Sequence, residues 1–128
     1  MHGLGNDFMI IDARGIDLNI DHHLVKALSN RNRGVGFDQL AVIYKPSSAT
    51  ANCYLKFWNC DGSISSTCGN ASRCIADLIF KEKKINRIIL ETDAGPLLCK
   101  NEKGMISVNM GNPKLDWDEI PLAIKCDT

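Results

Sequence analysis

The chain has 128 residues, 45% apolar and 23% charged, a balance that suits one globular domain with a core independent of disulfides or metal. Lysine plus arginine equals aspartate plus glutamate at 15 each, so no basic footprint points to nucleic acid. The N-terminus lacks the basic and apolar regions of a signal peptide, and the longest mostly apolar stretch, Cys74 to Phe80, is far too short to span a bilayer. A cytoplasmic protein without a membrane partner is expected.

Taken in chain order, Phe8 to Asp12 is a short apolar run that predicts a strand. Ile20 to Asn32 predicts a helix: Asp21 can cap it, Leu24, Val25 and Leu28 share a face, and Gly34 stops it. His22 and His23 fall in its first turn and read as solvated, while His2 is ambiguous. Gln39 to Tyr44 is a second strand, Pro46-Ser47-Ser48 a loop, and Asn52 to Trp58 a third strand with Tyr54, Lys56 and Trp58 on one side. After the turn-rich Asn59 to Ser63, Gly69 to Lys84 predicts a helix that is apolar around most of its circumference, the signature of a buried helix. Lys81, Lys83 and Lys84 close it, where cations complement the helix dipole.

Arg87 to Thr92, Gly95 to Lys100 and Met105 to Met110 predict three further strands, joined by turns at 93–95 and 102–104. Many short strands around one apolar helix indicate an α+β domain in which a curved, barrel-like sheet wraps a central helix. The segment 113–128, with Pro113 and Pro121, reads as a connector beyond a domain at 1–112.

Six cysteines, at 53, 60, 68, 74, 99 and 126, form no CxxC pair, and neither a zinc site nor a disulfide framework is expected. Cys53, Cys99 and Cys74 read as small buried hydrophobes. Cys68 differs because it stands at the start of the buried helix. Unpaired N–H groups in a helix's first turn favour anions, so a thiolate or a substrate carboxylate is stabilised there. Gly69 would let a ligand approach the backbone, and Asn70 adds a donor and an acceptor. From these local residues alone Cys68 reads equally well as one more inert thiol.

Three polar clusters accompany it: Gly3 to Asp7, Gly34 to Gln39 and Asn59 to Ser63. Each is ordinary turn chemistry taken singly. Together they offer the amides of Asn6, Gln39 and Asn59, which suit an amino-acid-like zwitterion. None matches a dinucleotide fingerprint or a phosphate loop.

Five segments in order then carry a resemblance: Met1-His2-Gly3-Leu4-Gly5-Asn6-Asp7-Phe8, Gly34-Val35-Gly36-Phe37-Asp38-Gln39, Phe57-Trp58-Asn59-Cys60-Asp61-Gly62-Ser63, Cys68-Gly69-Asn70 with Arg73-Cys74, and Val108-Asn109-Met110-Gly111-Asn112-Pro113. The chain resembles the amino-terminal domain of diaminopimelate epimerases. That resemblance implies interconversion of LL- and meso-diaminopimelate on the route to lysine and peptidoglycan, with neither pyridoxal phosphate nor metal. It implies two cysteines facing each other across the substrate α-carbon, one taking the α-proton and the other delivering one.

Cys68 matches the first of those cysteines, and Asn6, Gln39, Asn59, Gly69 and Asn70 match the substrate-binding positions. The family's second cysteine belongs to a second domain that this sequence does not match, and Cys126 lacks the motif to replace it. The resemblance therefore implies a truncation or fragment, inactive alone, with a homodimer among the assemblies open to the full-length protein. Departures from the family pattern are Ala71-Ser72 in place of Gly-Ala, Ile64 in place of Glu, and the lack of residues before Met1 that would form a first strand, which would leave a sheet edge unpaired. Two other functions compete: a non-catalytic small-molecule-binding domain, and a proline racemase-like isomerase of the same fold.

Overall fold

Apolar residues on both faces of Gln39–Tyr44 set the architecture. Ala41 and Ile43 point into one core and Leu40 and Val42 into another, as the two-residue period of a strand requires. In the computed structural model, which describes residues 1–113, 115 and 116, this strand is the third of eight. The strands are β1 (His2–Gly3), β2 (Asn6–Asp12), β3 (Gln39–Tyr44), β4 (Cys53–Asn59), β5 (Ile64–Ser65), β6 (Arg87–Thr92), β7 (Gly95–Glu102) and β8 (Met105–Asn109). Two helices, α1 (His22–Ser29) and α2 (Gly69–Lys83), complete the elements among the described residues. Most of the expected connector 113–128, Cys126 included, lies outside the described residues.

The sheet runs β1-β2-β3-β4-β6-β7-β8, with β5 paired to β4. It is mixed: β2 pairs with β3 and β4 with β6 in parallel, and the other pairs are antiparallel. α1 makes the first parallel crossover, and β5 with α2 makes the second. One helix, α2, touches β1 and β2 at one end of the sheet and β6, β7 and β8 at the other. A flat sheet could not do this, so the sheet curls around α2, as the sequence predicts.

The core around α2 joins Ile75, Ile79 and Phe80 to Phe8, Leu55, Phe57 and Leu90. Ala13, Val25, Phe37, Leu40, Val42 and Trp58 form the second core, between α1 and the outer face of the sheet. Burial at roughly 25 cal/mol per Å² of apolar area makes these two cores the main source of stability.

The helices differ from their predicted forms in two ways. α1 begins as expected, with the Asp21 carboxylate accepting the Leu24 N–H over 2.8 Å. It ends three residues early, because the Asn30 side chain accepts the N–H groups of Asn32 and Arg33 and draws the chain into a turn. α2 is less enclosed than its composition suggests: Leu78 is 40% exposed and leaves one stripe open. Lys84 closes α2 in the left-handed region, at φ 53°.

Two short strands escape the sequence. β1 and β5 are two residues each, too short for periodicity to mark. β1 folds back antiparallel on β2 and pairs its first residues, His2 with Asp7 and Gly3 with Asn6, while Met1 and Phe8 exchange backbone bonds; beyond Phe8 the outer edge of β2 has no strand partner among the described residues. Among the described residues no helix is long and apolar enough to cross a membrane.

Cys53 and Cys99 are fully buried, and desolvation pushes each thiol from 9.0 up to about 12. Between those values the native state holds protons that the unfolded chain has released, so stability is intact below pH 9 and falls as pH rises toward 12. Urea melts across that range are expected to show the decline, and Cys53→Ala with Cys99→Ala should reduce it, leaving the part due to Tyr54, which burial and the Asp93 carboxylate also push up to about 12.

Candidate active site

One end of the sheet gathers most of the singled-out residues. β2 and β3 begin there and β4 ends there, because Phe8 pairs with Gln39 and Gln39 with Asn59. α2 starts at the same end, with Cys68 as its N-cap in extended conformation. The Ala71 N–H approaches Cys68 Sγ at 3.5 Å, so the sulfur faces the free N–H groups of the first turn.

The thiol also donates to Gln39 Oε1 over 3.0 Å. Gln39 Nε2 donates to Asn59 Oδ1 over 2.8 Å, and Asn59 Nδ2 to Ser63 Oγ over 2.9 Å. Ser63 Oγ in turn donates to Asp61 Oδ1 over 2.6 Å, and the same oxygen accepts the Ser63 N–H. Cys68, Gln39 and Asn59 are half-buried, so the row is reachable from solvent.

The remaining positions lie alongside. A Cβ placed on Gly3 would stand 3.6 Å from Asn70, and Gly3 pairs with Asn6, so the start of β2 comes up beside α2 through β1. No hydrogen bond links Asn6 to Cys68. Asn70 Oδ1 accepts from Arg73 over 2.8 Å, which fixes its amide. Gly69 is less open than the sequence suggests: the Met110 thioether lies 3.4 Å from where a Cβ would be, so a ligand must first displace a flexible side chain.

A surface hollow next to the site is lined by His2, Asn70, Arg73, Cys74 and Asp77 and does not include Cys68. Cys74 is a structural thiol, pushed up by burial. Cys60 is exposed in the turn before Ser63. Among the described residues no group of three or more metal-ligating side chains forms.

Sequence reasoning reads Asp61 and Ser63 only as turn residues, and it misses Arg31 altogether. Arg31 bridges Asp7 at 2.9 Å and Asp38 at 3.0 Å. Asp38 also accepts the Asp7 N–H, and that bond together with Arg31 holds its carboxyl below the usual range. This tie fastens the β1–β2 turn to the loop before β3, and so sets Gln39 relative to Asn6. Nothing in the spacing of Asp7, Arg31 and Asp38 marks it, because the three meet only when β2 pairs with β3. The Ser72 hydroxyl, where the resemblance expects alanine, is fully buried and has no hydrogen-bond partner among the described residues.

With this geometry in view, the comparisons with known proteins are specific. The family model described as diaminopimelate epimerase matches residues 1–115. A diaminopimelate epimerase of Gluconobacter oxydans is 41% identical over the whole chain, which covers 48% of that relative. One of Acidiphilium cryptum is 43% identical, again over the whole chain and 46% of the relative. The chain therefore spans about half the length of the curated relatives it matches.

Solved structures resemble it at lower identity. A hydroxyproline epimerase of Agrobacterium vitis superposes with a TM-score of 0.59 at 15% identity, over 84% of this chain and 39% of that one. A phenazine biosynthesis protein of Bacillus anthracis gives 0.55 at 21%, over 84% and 35%. These two likenesses establish a shared fold.

Proposed function

The chain belongs to the diaminopimelate epimerase family, and from that premise we propose that it is the amino-terminal half of an enzyme that inverts one α-carbon of 2,6-diaminopimelate. The observation that carries this reading is the place of Cys68, whose sulfur lies at the mouth of α2 within reach of a helix N–H and of the Gln39 amide. The second cysteine comes from the half of the protein that this chain does not include.

The chemistry follows from these positions. An amino-acid α-proton is only weakly acidic, so its removal needs a base aimed at the α-carbon and fixed dipoles where charge develops. Helix N–H groups at Gly69 and Asn70 hold the substrate carboxylate, as helix N-termini hold anions. Asn6, Gln39 and Asn59 supply neutral amides for the remaining polar groups, which orient a zwitterion without adding net charge. One cysteine takes the α-proton as thiolate while the other, as thiol, gives a proton to the opposite face. Each then carries the other's former charge, and the configuration is inverted. No pyridoxal phosphate or metal takes part. The family's biosynthetic role makes the cytoplasm the setting, and the full-length protein is open to pairing as a homodimer.

The test is solvent deuterium incorporation at the α-carbon, with the full-length protein and LL-diaminopimelate in D2O. Exchange with accumulation of the meso isomer is expected, and none with proline. Exchange with proline alone would replace this reading with a proline racemase-like one, and binding without exchange would leave a non-catalytic module. The 128-residue chain by itself is expected to exchange nothing.

A further inference from the structure

We propose that Asp61 and Ser63, which touch no substrate in the reading above, set the direction of the hydrogen bonds that reach Cys68 and thereby hold this cysteine in its thiol form. The row from Cys68 to Asp61 has five members, and every bond in it points the same way. That uniform direction follows from what each group can do. An ionised carboxylate only accepts, so the Ser63 hydroxyl must give Asp61 its proton. Ser63 Oγ is then left as an acceptor, and Asn59 must present Nδ2 to it. Asn59 Oδ1 therefore faces Gln39, which must offer Nε2. Gln39 Oε1 is then turned toward Cys68 and takes the hydrogen of its thiol, a bond that a thiolate could not make.

Asp61 is well placed to anchor this order. Its Oδ1 takes both the N–H and the hydroxyl of Ser63, and these bonds hold its carboxyl below the ordinary range and thus ionised. The opposite order exists and differs by two amide half-turns. A Cys68 thiolate accepts only, so Gln39 would turn Nε2 toward it, Asn59 would turn Nδ2 toward Gln39, and the Ser63 hydroxyl would leave Asp61 for Asn59 Oδ1. The proton on Cys68 is thus coupled to the orientation of two amides that the substrate is proposed to contact. Its bearing on turnover rests on the epimerase reading; the orientation itself does not.

The test is peptide-resolved alkylation of the 128-residue chain with iodoacetamide at pH 8, where the thiolate is the reacting species. Added glutathione is the reference, because Cys60 adjoins Asp61 and would change with it, and Cys53 and Cys99 report loss of packing. Asp61→Ala and Ser63→Ala free the row to reverse, and Cys68 should then react about fivefold faster relative to glutathione, the effect of one ordinary hydrogen bond. Asp61→Asn and Ser63→Thr keep the acceptor and the hydroxyl, and their rates should stay within about twofold of the parent.

Three results would overturn the proposal. One is unchanged Cys68 reactivity in both alanine variants. Another is equal acceleration in Asp61→Asn and Asp61→Ala, which would assign the effect to charge acting through space. The third is acceleration shared by Cys53 and Cys99 in both alanine variants, which would leave the turn a structural support only. If only one alanine variant loosens the core, the other decides.

Discussion

Cys68→Ala is expected to lower α-proton exchange by the full-length protein by about 10²- to 10⁴-fold, the range that a positioned acid or base contributes. The fold should hardly notice. The sulfur is half-buried, its bond from the Ala71 N–H is long at 3.5 Å, and the Gln39 oxygen it releases can turn to water. Loss of so weak a cap costs at most about 1 kcal/mol. Cys68→Ser should be nearly as inactive, because it keeps a cap but offers a hydroxyl far too weakly acidic to ionise. Deuterium incorporation followed by NMR measures the activity, and urea unfolding of the same samples measures the stability. Retained exchange in the alanine variant would remove Cys68 from the reaction.

Gly62→Ala is expected to lower stability strongly although it adds a single methyl group. Gly62 sits at φ 85°, where a Cβ costs about 1–2 kcal/mol. The added carbon would also lie 2.7 Å from the His22 backbone oxygen and 2.8 Å from its Cβ. That contact cannot be absorbed by a side-chain rotation alone, because part of it is the backbone at the start of α1, and overpacking of this kind costs a further 1–3 kcal/mol or about that. The sum, about 2–5 kcal/mol, is a large share of the total for a domain of this size. Urea melts will show it as a drop in midpoint, and a melt matching the parent would contradict the geometry. Gly62 also lies between Asp61 and Ser63, so relief of the clash by movement of the turn would displace the carboxylate and hydroxyl that orient Asn59.

What the residues disclosed in advance follows from how local each signal is. β3 and β6 were legible to their last residue, because Gln39–Tyr44 and Arg87–Thr92 are short apolar segments bounded by turn formers. α2 was legible because its apolar residues cover most of a helix and Gly69 begins it. The importance of Cys68 was only half legible: its neighbours marked a helix start, and the resemblance did the rest.

The contacts between segments were not legible at all. That Asp7, Arg31 and Asp38 form one tie, or that Ser63 lies next to Asn59 with its hydroxyl turned to Asp61, depends on strand register and on the fold of one turn. Leu78 misled because composition counts apolar residues on a helix without showing how far around it the sheet reaches.

The way α2 begins carries a consequence for how this protein can improve. Oxygen side chains cap helices well, whereas sulfur is a poor hydrogen-bond acceptor, and position 68 holds sulfur. Selection for thermal robustness alone would favour serine or aspartate there, at the expense of the reaction proposed for it. The entrance to the central helix is therefore a point of trade-off between durability and turnover. Stabilising changes have to be sought elsewhere, and the buried Ser72 hydroxyl one turn further along, without a hydrogen-bond partner among the described residues, is a place where both demands can be met together.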